Sequence, residues 1–199
     1  MRRFSSRSLL ATVSAGLAAV LLIAGGLLLW GSAYVHNTVQ SQLASQQIYF
    51  PPASAFAHPK AGGEITPSMI PSVSQYAGQQ LLTGQQAEAY ADHFIAVHIA
   101  NMAGGKTYSQ LSTEAIAQPN NTTLANTVAT VFKGETLRSM LLNAYGWWKV
   151  SQIVYIISLV AFGFGTVAGL GSLYLFLFGR KHAPMPPAGH ESITPAATA

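Results

Sequence analysis

Four ionisable side chains lie close together in one stretch of the chain and could hold a metal or another ligand. They are Glu88, Asp92, His93 and His98. Imidazole nitrogens and carboxylate oxygens are common metal ligands, but two ligands on one helix normally lie three or four residues apart. His93 and His98 are five apart, which points them about 140° from each other. We therefore favour a buried His98 with one hydrogen-bond partner, and keep the four residues as candidate ligands.

The stretch "ANMAGGKTYSQ", residues 100–110, imitates a phosphate-binding loop that ends in Gly105, Lys106 and Thr107. A phosphate loop follows a strand and opens a helix, so that free amides at the helix start face the phosphates. Here a helical pattern precedes the glycines, and the C-terminal dipole of a helix disfavours an anion. We predict that Gly104 and Gly105 end a helix and that the chain binds no nucleotide.

Two long uncharged stretches, residues 9–34 and 150–178, dominate the chain. Only 8% of all residues are charged, against about 25% in soluble domains. Each stretch exceeds the roughly 20 apolar residues that cross a bilayer, and only a helix satisfies its own backbone groups there. We predict an all-α membrane protein with two transmembrane helices, over residues 9–35 and 150–179, and a mostly helical extracytoplasmic loop domain packed close to the bilayer.

The flanking charges predict the orientation. Basic residues occur before the first span and after the second, at Arg2, Arg3, Arg7, Arg180 and Lys181, and basic flanks stay in the cytoplasm. The first span is longer than the apolar run of a cleaved signal peptide, about 7–15 residues, so we interpret it as an uncleaved signal-anchor. Both termini are predicted to be cytoplasmic at the plasma membrane.

Three further segments complete the predicted organisation. Residues 1–8 form a basic cytoplasmic N-terminus, residues 36–149 form the outside loop, and residues 180–199 form a disordered cytoplasmic tail rich in Pro and Ala. The outside loop holds five basic and five acidic residues, so nothing in its charge suggests nucleic acid as a partner. The chain has no cysteine, which excludes disulfides, thiol catalysis and thiolate metal sites.

Local signals predict the helices of the loop. Thr83 and Gln86 have capping-box spacing at the start of a helix, whereas the proline-rich residues 50–83 are predicted to form an ordered wrap or linker. Residues such as Phe56, Ile65 and Ile70 are expected to pack against the helices. We expect at most one helical turn over residues 109–121 and a turn at Lys133 and Gly134. Glu135 and Arg138 are interpreted as a surface ion pair.

Small residues repeat every four positions on the second span, at Ala161, Gly165 and Gly169. Lipid supplies no hydrophobic drive for helix association, so close approach over small residues supplies the contact instead. The first span offers a matching strip at Ala11, Ala15 and Ala19. We favour packing of the two spans within the chain, and docking onto another subunit is the alternative.

Two stretches, "GGKTYSQL" at 104–111 and "RSMLLNAYGWWKVSQI" at 138–153, together with the spans, resemble a family of small two-span actinobacterial envelope proteins. Some members carry an aromatic ring-opening dioxygenase label. That label implies an iron held by two histidines and a carboxylate. The shared motifs carry no catalytic residues that transfer to this chain.

Two functions are compatible with these features. The first is a non-enzymatic accessory or scaffold subunit of a cell-envelope membrane complex. It needs no cofactor and associates with lipid and with a membrane-protein partner or a second copy through its spans. The alternative is an extracytoplasmic ligand- or metal-binding membrane protein that uses the loop helix around His98, with His93, Asp92 and Glu88 nearby.

Overall fold

The computed structural model of the 199-residue chain describes residues 6–57, 59 and 65–178. The predicted tail, 180–199, and most of the predicted N-terminus, 1–8, lie outside these residues. The chain divides into two compact units, one formed by residues 1–24 with 161–199 and the other by residues 25–160. Regular structure in the described residues is helical, and the only extended pairing there is an isolated bridge between Tyr49 and Gln80.

Two long helices enclose a series of short ones in the sequence. The long helices are α1 (Ser6–Ser45) and α7 (Thr122–Phe178). Between them lie α2 (Ala53–Ala57), α3 (Ile70–Val73), a 3-10 turn (Ser74–Tyr76), α4 (Gly84–Tyr90), a π-helical turn (Ala91–Ile95), α5 (Ala96–Met102) and α6 (Tyr108–Ala117). Both long helices have the length and composition to cross a membrane. Only 11% of the most apolar window of each is buried, whereas the core helix of a soluble protein is mostly buried.

Within residues 25–160, α1 and α7 run antiparallel and meet through serines. The hydroxyl of Ser32 donates to the carbonyl of Ser151 at 2.7 Å, and the Ser151 hydroxyl donates to the carbonyl of Trp148, also at 2.7 Å. Ser158, one heptad beyond Ser151, is fully buried. The Ser32 hydroxyl bonds across to α7, whereas the hydroxyls of Ser151 and Ser158 satisfy carbonyls of α7 itself. All three side chains are small, which lets the two backbones approach closely.

The unit of residues 1–24 and 161–199 uses small residues in the same way. The Ser172 hydroxyl donates to the carbonyl of Ala11 at 2.8 Å. Gly165 is buried beside Leu22: a Cβ there would lie 3.0 Å from the Leu22 Cγ. At Gly169 a Cβ would lie 3.7 Å from the Cβ of Ala18, an ordinary contact.

The small-residue face repeats every seven residues rather than every four. Its buried members are Ala11, Ala18, Gly25 and Ser32 on α1, and Ser151, Ser158, Gly165 and Ser172 on α7. The predicted strip on α1 was therefore wrong at Ala15 and Ala19, which are exposed. Seven residues is the repeat that keeps a seam facing a partner helix in a left-handed pair, since 3.5 residues per turn matches the supercoil.

The loop segment shares one apolar core with α1 and α7 within residues 25–160. Met69, Val73 and Leu81 are fully buried there. The Phe50 ring packs against the rings of Tyr76 and Tyr90, at centroid distances of 5.1 and 5.3 Å. Backbone hydrogen bonds between residues 48–51 and 78–81 close the proline-rich stretch onto itself.

The proline-rich stretch is more helical than expected, although its predicted packing is confirmed. It contains α2, α3 and the 3-10 turn; a proline in the first turn of α3 costs little there, since its missing amide would be unpaired anyway. Phe56 and Ile65 are buried and Ile70 is packed against the core, as predicted.

Two other local predictions were wrong. Residues 108–117 form the three-turn helix α6, because Thr107 and Gln110 make a capping box at its start. The predicted capping box of Thr83 and Gln86 is confirmed. Lys133 and Gly134 form no turn, because α7 continues through them. A Cβ at Gly134 would lie 2.8 Å from the Ile99 side chain, so the glycine permits α5 to pack closely on α7.

We expect the variant with Ala18→Cys and Gly169→Cys to form an intrachain disulfide in membranes. The two Cβ positions are 3.7 Å apart, within the range of about 3.5–4.5 Å for disulfides, and the natural chain has no competing cysteine. Adding Gly165→Leu should lower the disulfide yield sharply, since overpacking costs about 1–3 kcal/mol. Gly163→Leu is the matched control, because a side chain there enters open space. Gel mobility with and without reductant measures both; equal yields for the two leucine variants would contradict this packing.

Gly84→Ala should lower the stability of the loop segment by about 1–3 kcal/mol. Its Cβ would overlap the Cβ and Cγ of Trp148, a buried residue of α7. Gly146→Ala provides the comparison, because that Cβ meets nothing within 4 Å, and alanine in a helix interior is favoured by about 0.5–1 kcal/mol. Denaturant titration followed by tryptophan fluorescence distinguishes them, and a Gly84→Ala protein as stable as the natural one would contradict the close contact.

Candidate functional site

The glycine pair of the phosphate-loop pattern ends a helix, as predicted. Gly104 and Gly105 adopt the left-handed conformation, with φ of 60° and 77°, directly after α5. Lys106 donates to both carboxylate oxygens of Glu114, at 2.7 and 2.8 Å. Thr107 caps α6. The residues that a phosphate loop would use for binding are therefore engaged in forming the next helix.

The candidate ligands do not come together around one point. Asp92 accepts two hydrogen bonds from Arg138, from Nη2 at 2.7 Å and from Nε at 3.2 Å. Glu88 and His93 are half-buried on the same run of helix. Nowhere in residues 6–57, 59 and 65–178 do three His, Asp or Glu side chains gather with metal-binding geometry.

Arg138 was expected to pair with Glu135 at the surface, but its closer partner is Asp92. Its Glu135 contact is long, 3.5 Å, whereas the contact with Asp92 on the π-helical turn is short. The hydrogen bond with Asp92 is the main cause that raises the pKa of Arg138 above its ordinary value; partial burial opposes the shift. Because both partners are about one-third exposed, water screens much of this attraction. The pair therefore serves mainly to position the π-helical turn against α7.

His98 makes the hydrogen bond that the favoured interpretation predicted, but it is less buried than expected. Its Nδ1 lies 2.9 Å from the carbonyl of Phe94, and its ring lies 4.5 Å from the Phe94 ring. Donation from Nδ1 to that carbonyl leaves Nε2 for another partner. The side chain is half-buried rather than fully buried, so a ligand in the adjoining groove can reach it.

This His98 groove lies between the run from Phe94 to Met102 and α7. One wall carries Phe94, Ile95, His98, Ile99 and Met102, and the other carries Thr130, Lys133, Gly134 and Leu137. The groove encloses about 350 Å³, at the small end of the range for ligand pockets. None of the described residues that line it is acidic. The groove can therefore hold an apolar body with a polar or anionic end.

A second groove, here the junction groove, lies between the end of α1 and the middle of α7. It has an upper part of about 340 Å³ and a lower part of about 210 Å³, which share Val39, Gln42 and Trp147. From Tyr34 to Gln46 it follows α1 for about 18 Å. The described side chains that line it are apolar or neutral, so it suits an uncharged apolar partner.

Sequence reasoning missed a contact between His36 and Trp148. Their ring centroids are 3.9 Å apart, and the indole Nε1 of Trp148 is buried with no hydrogen-bond partner in the described part of the chain. Next to them a groove of about 550 Å³ is lined by residues that include Gln152 and Tyr155. No spacing in the sequence could have revealed this pair, because the residues lie on different long helices.

The predicted helix-packing residues of α7 are buried to different degrees. Gly165 is buried, and Gly169 and Ala161 are partly buried. Gly165 and Gly169 face Leu22 and Ala18 of the same chain, which is the intrachain arrangement that the sequence favoured.

Compared with protein-family models, curated proteins and solved structures, the chain matches none of them. The resemblance to small two-span actinobacterial envelope proteins therefore stays a prediction.

We expect purified protein to contain no iron or zinc near one atom per chain. Asp92 is engaged by Arg138, and His93 and His98 do not converge with a carboxylate in the described residues. Elemental analysis after extraction into mild detergent measures the content directly. A stoichiometric metal that disappears in His98→Ala, but persists in Thr113→Ala at an exposed position of α6, would contradict this geometry.

Proposed function

We propose that this chain is a non-enzymatic integral membrane protein that acts as an accessory or scaffold subunit of a cell-envelope complex. Both termini face the cytoplasm in this proposal, and the segment between the long helices lies outside. The flanking basic residues support the orientation. The broad exposure of apolar side chains on α1 and α7 supports insertion into lipid.

The junction groove is the observation that carries the proposed function. It lies where α1 and α7 leave the predicted spans, and it exposes large apolar side chains: Leu137 is 38% exposed, Met140 65% and Trp147 55%. Met140 and Trp147 are seven residues apart and share one face of α7. Leu137 and Met140 precede the second predicted span by more than two helical turns, so lipid tails do not account for their exposure.

The chemistry of this groove favours a helix from another membrane protein as its occupant. The rim consists of neutral amides, at Gln42, Gln46 and Asn143, around an apolar floor. A partner helix would bury Trp147 and Met140 while these amides stay at the solvent edge, as in helix-in-groove recognition. The lower part of the groove reaches Tyr34, at the end of the first predicted span, so a helix leaving the bilayer could enter it directly.

The ionisable groups of the outside segment also support a structural role. Lys106 pairs with Glu114, Arg138 pairs with Asp92, and Lys149 lies 5.6 Å over the ring of Tyr145. These pairs cap and position helices. None of them combines a nucleophile with a base in the geometry that covalent catalysis requires.

Photocrosslinking in native membranes tests the proposal. A benzophenone amino acid at Trp147 or Met140 should give discrete adducts with one partner protein, whereas the same probe at Ile116 should give none. Ile116 is a suitable control because it is 80% exposed and lies on α6, outside the groove. Trp147→Ala should weaken recovery of the partner at least about tenfold, as expected for a central aromatic contact.

The partner's identity separates the possible outcomes. Adducts between two differently tagged copies would make the occupant a second copy of this chain, which replaces the accessory role with self-association. A strictly monomeric protein by native mass measurement, with no adduct at either groove position, would overturn the proposal.

A further inference from the structure

We propose that the His98 groove binds a single-chain amphiphile that ends in a carboxylate, such as a long-chain fatty acid. The inference goes beyond the subunit role and does not depend on it. It gives the ligand-binding alternative around His98 a specific chemistry that requires no metal.

The floor of the groove fits an alkyl chain. Ile95 and Ile99 are buried beneath it, and the side chains of Phe94, Met102 and Leu137 form its sides. Met102 is 51% exposed although its neighbours are apolar, so a bound chain would remove apolar surface from water. Gly134 brings α5 and α7 close together, so the two walls of the groove meet at its floor.

The polar groups of the groove fit an anionic end. Lys133 lies on the α7 wall, and no ion pair or hydrogen bond engages it in the described part of the chain. Every other lysine and arginine of residues 65–178 has a partner; these are Lys106, Arg138 and Lys149. An unpaired ammonium beside an apolar floor, with no acidic side chain in the described lining, is complementary to a monoanionic amphiphile.

His98 supplies a second contact for the same head group. Its Nδ1 is engaged by the carbonyl of Phe94, 2.9 Å away, which fixes the ring and directs Nε2 away from that carbonyl. Nε2 can donate to a carboxylate when the imidazole is protonated and accept from a carboxylic acid when it is neutral. A fixed ring loses less freedom on binding than a mobile one. His98 therefore orients the head group while Lys133 supplies the charge.

The position of the groove favours a ligand taken out of the bilayer. Lys133 precedes residue 150, where the second predicted span begins, by about 25 Å of helix. A fatty acid held there has left the lipid, so the groove would shield its chain from water. A two-chain phospholipid is less suitable because the groove of about 350 Å³ is small for a ligand site.

The test uses the full chain in nanodiscs of neutral lipid, with a dodecanoate that carries a photoreactive group on its chain. Adducts should map to the peptides that contain residues 94–102 and 130–137. Unlabelled dodecanoate should compete, whereas dodecanol at the same concentration should compete about tenfold less well, since it carries no charge to pair with Lys133. Inorganic phosphate should not compete, because it has no chain.

Matched variants separate charge from shape. Lys133→Met keeps an unbranched stem and should raise the half-saturating concentration of dodecanoate about tenfold, with little effect on dodecanol. Lys149→Met is the control lysine, placed outside the groove, and should change neither. Thr130→Trp introduces bulk from an exposed position that lines the groove and should abolish labelling by the photoreactive dodecanoate.

Three results would overturn the proposal. They are labelling confined to the spans, equal competition by dodecanol and dodecanoate, and unchanged labelling in both Lys133→Met and Thr130→Trp. None of them depends on a partner protein, so they separate failure of this site from failure of the subunit role. A variant that misfolds is recognised by a loss of helical signal in far-ultraviolet circular dichroism. Lys133→Met, at an exposed position, should keep that signal.

Discussion

Three contacts connect the segment between the two long helices to α7, and the arrangement of that segment depends on them. Gly84 lies against Trp148, Ile99 lies over Gly134, and Asp92 pairs with Arg138. Two of the three require a glycine, because a Cβ would occupy the space that the neighbouring side chain fills. The segment is therefore held mainly by close approach, in a chain without disulfides. The ion pair is partly exposed to water, so it contributes little to the free energy of folding and mainly fixes the orientation of the segment.

The π-helical turn keeps the buried residues of the helical run 84–103 on the face that packs against the core. Buried residues recur every four positions, at Ala87, Ala91, Ile95, Ile99 and Ala103. In an uninterrupted α-helix each step of four advances about 40°, so the last of them would have rotated far from the core. One wider turn over Ala91–Ile95 takes up an extra residue and returns the stripe to the same face. Such turns are rare and are often found at functional sites, and here the turn also carries Asp92 and begins the His98 groove.

The features that sequence reasoning predicted are those that depend on composition or on local capping. The two long apolar helices follow from uncharged length, and the start of α4 follows from Thr83 and Gln86. The error at Gly134 arose from the influence of distant residues on a local preference. Gly134 favours a turn in isolation, but packing against Ile99 keeps it helical. Helix α6 is a different case: Thr107 and Gln110 carried the same capping signal as α4, and the proline and two asparagines at residues 119–121 obscured it. Neither the pairing of Asp92 with Arg138 nor the His98 groove could be predicted, because each joins elements far apart in the chain.

The two grooves differ in the charge of the side chains that line them, and this charge determines which ligand or partner each can accept. The junction groove has a neutral amide rim, so a charged partner would lose hydration there without gaining a counter-ion. The His98 groove has a similar apolar floor but adds an ammonium and an imidazole, so an anionic end is compensated where it enters. Both grooves are formed against the same helix, and Leu137 lines both of them. A change in the position of the Leu137 side chain would therefore alter the lining of both grooves.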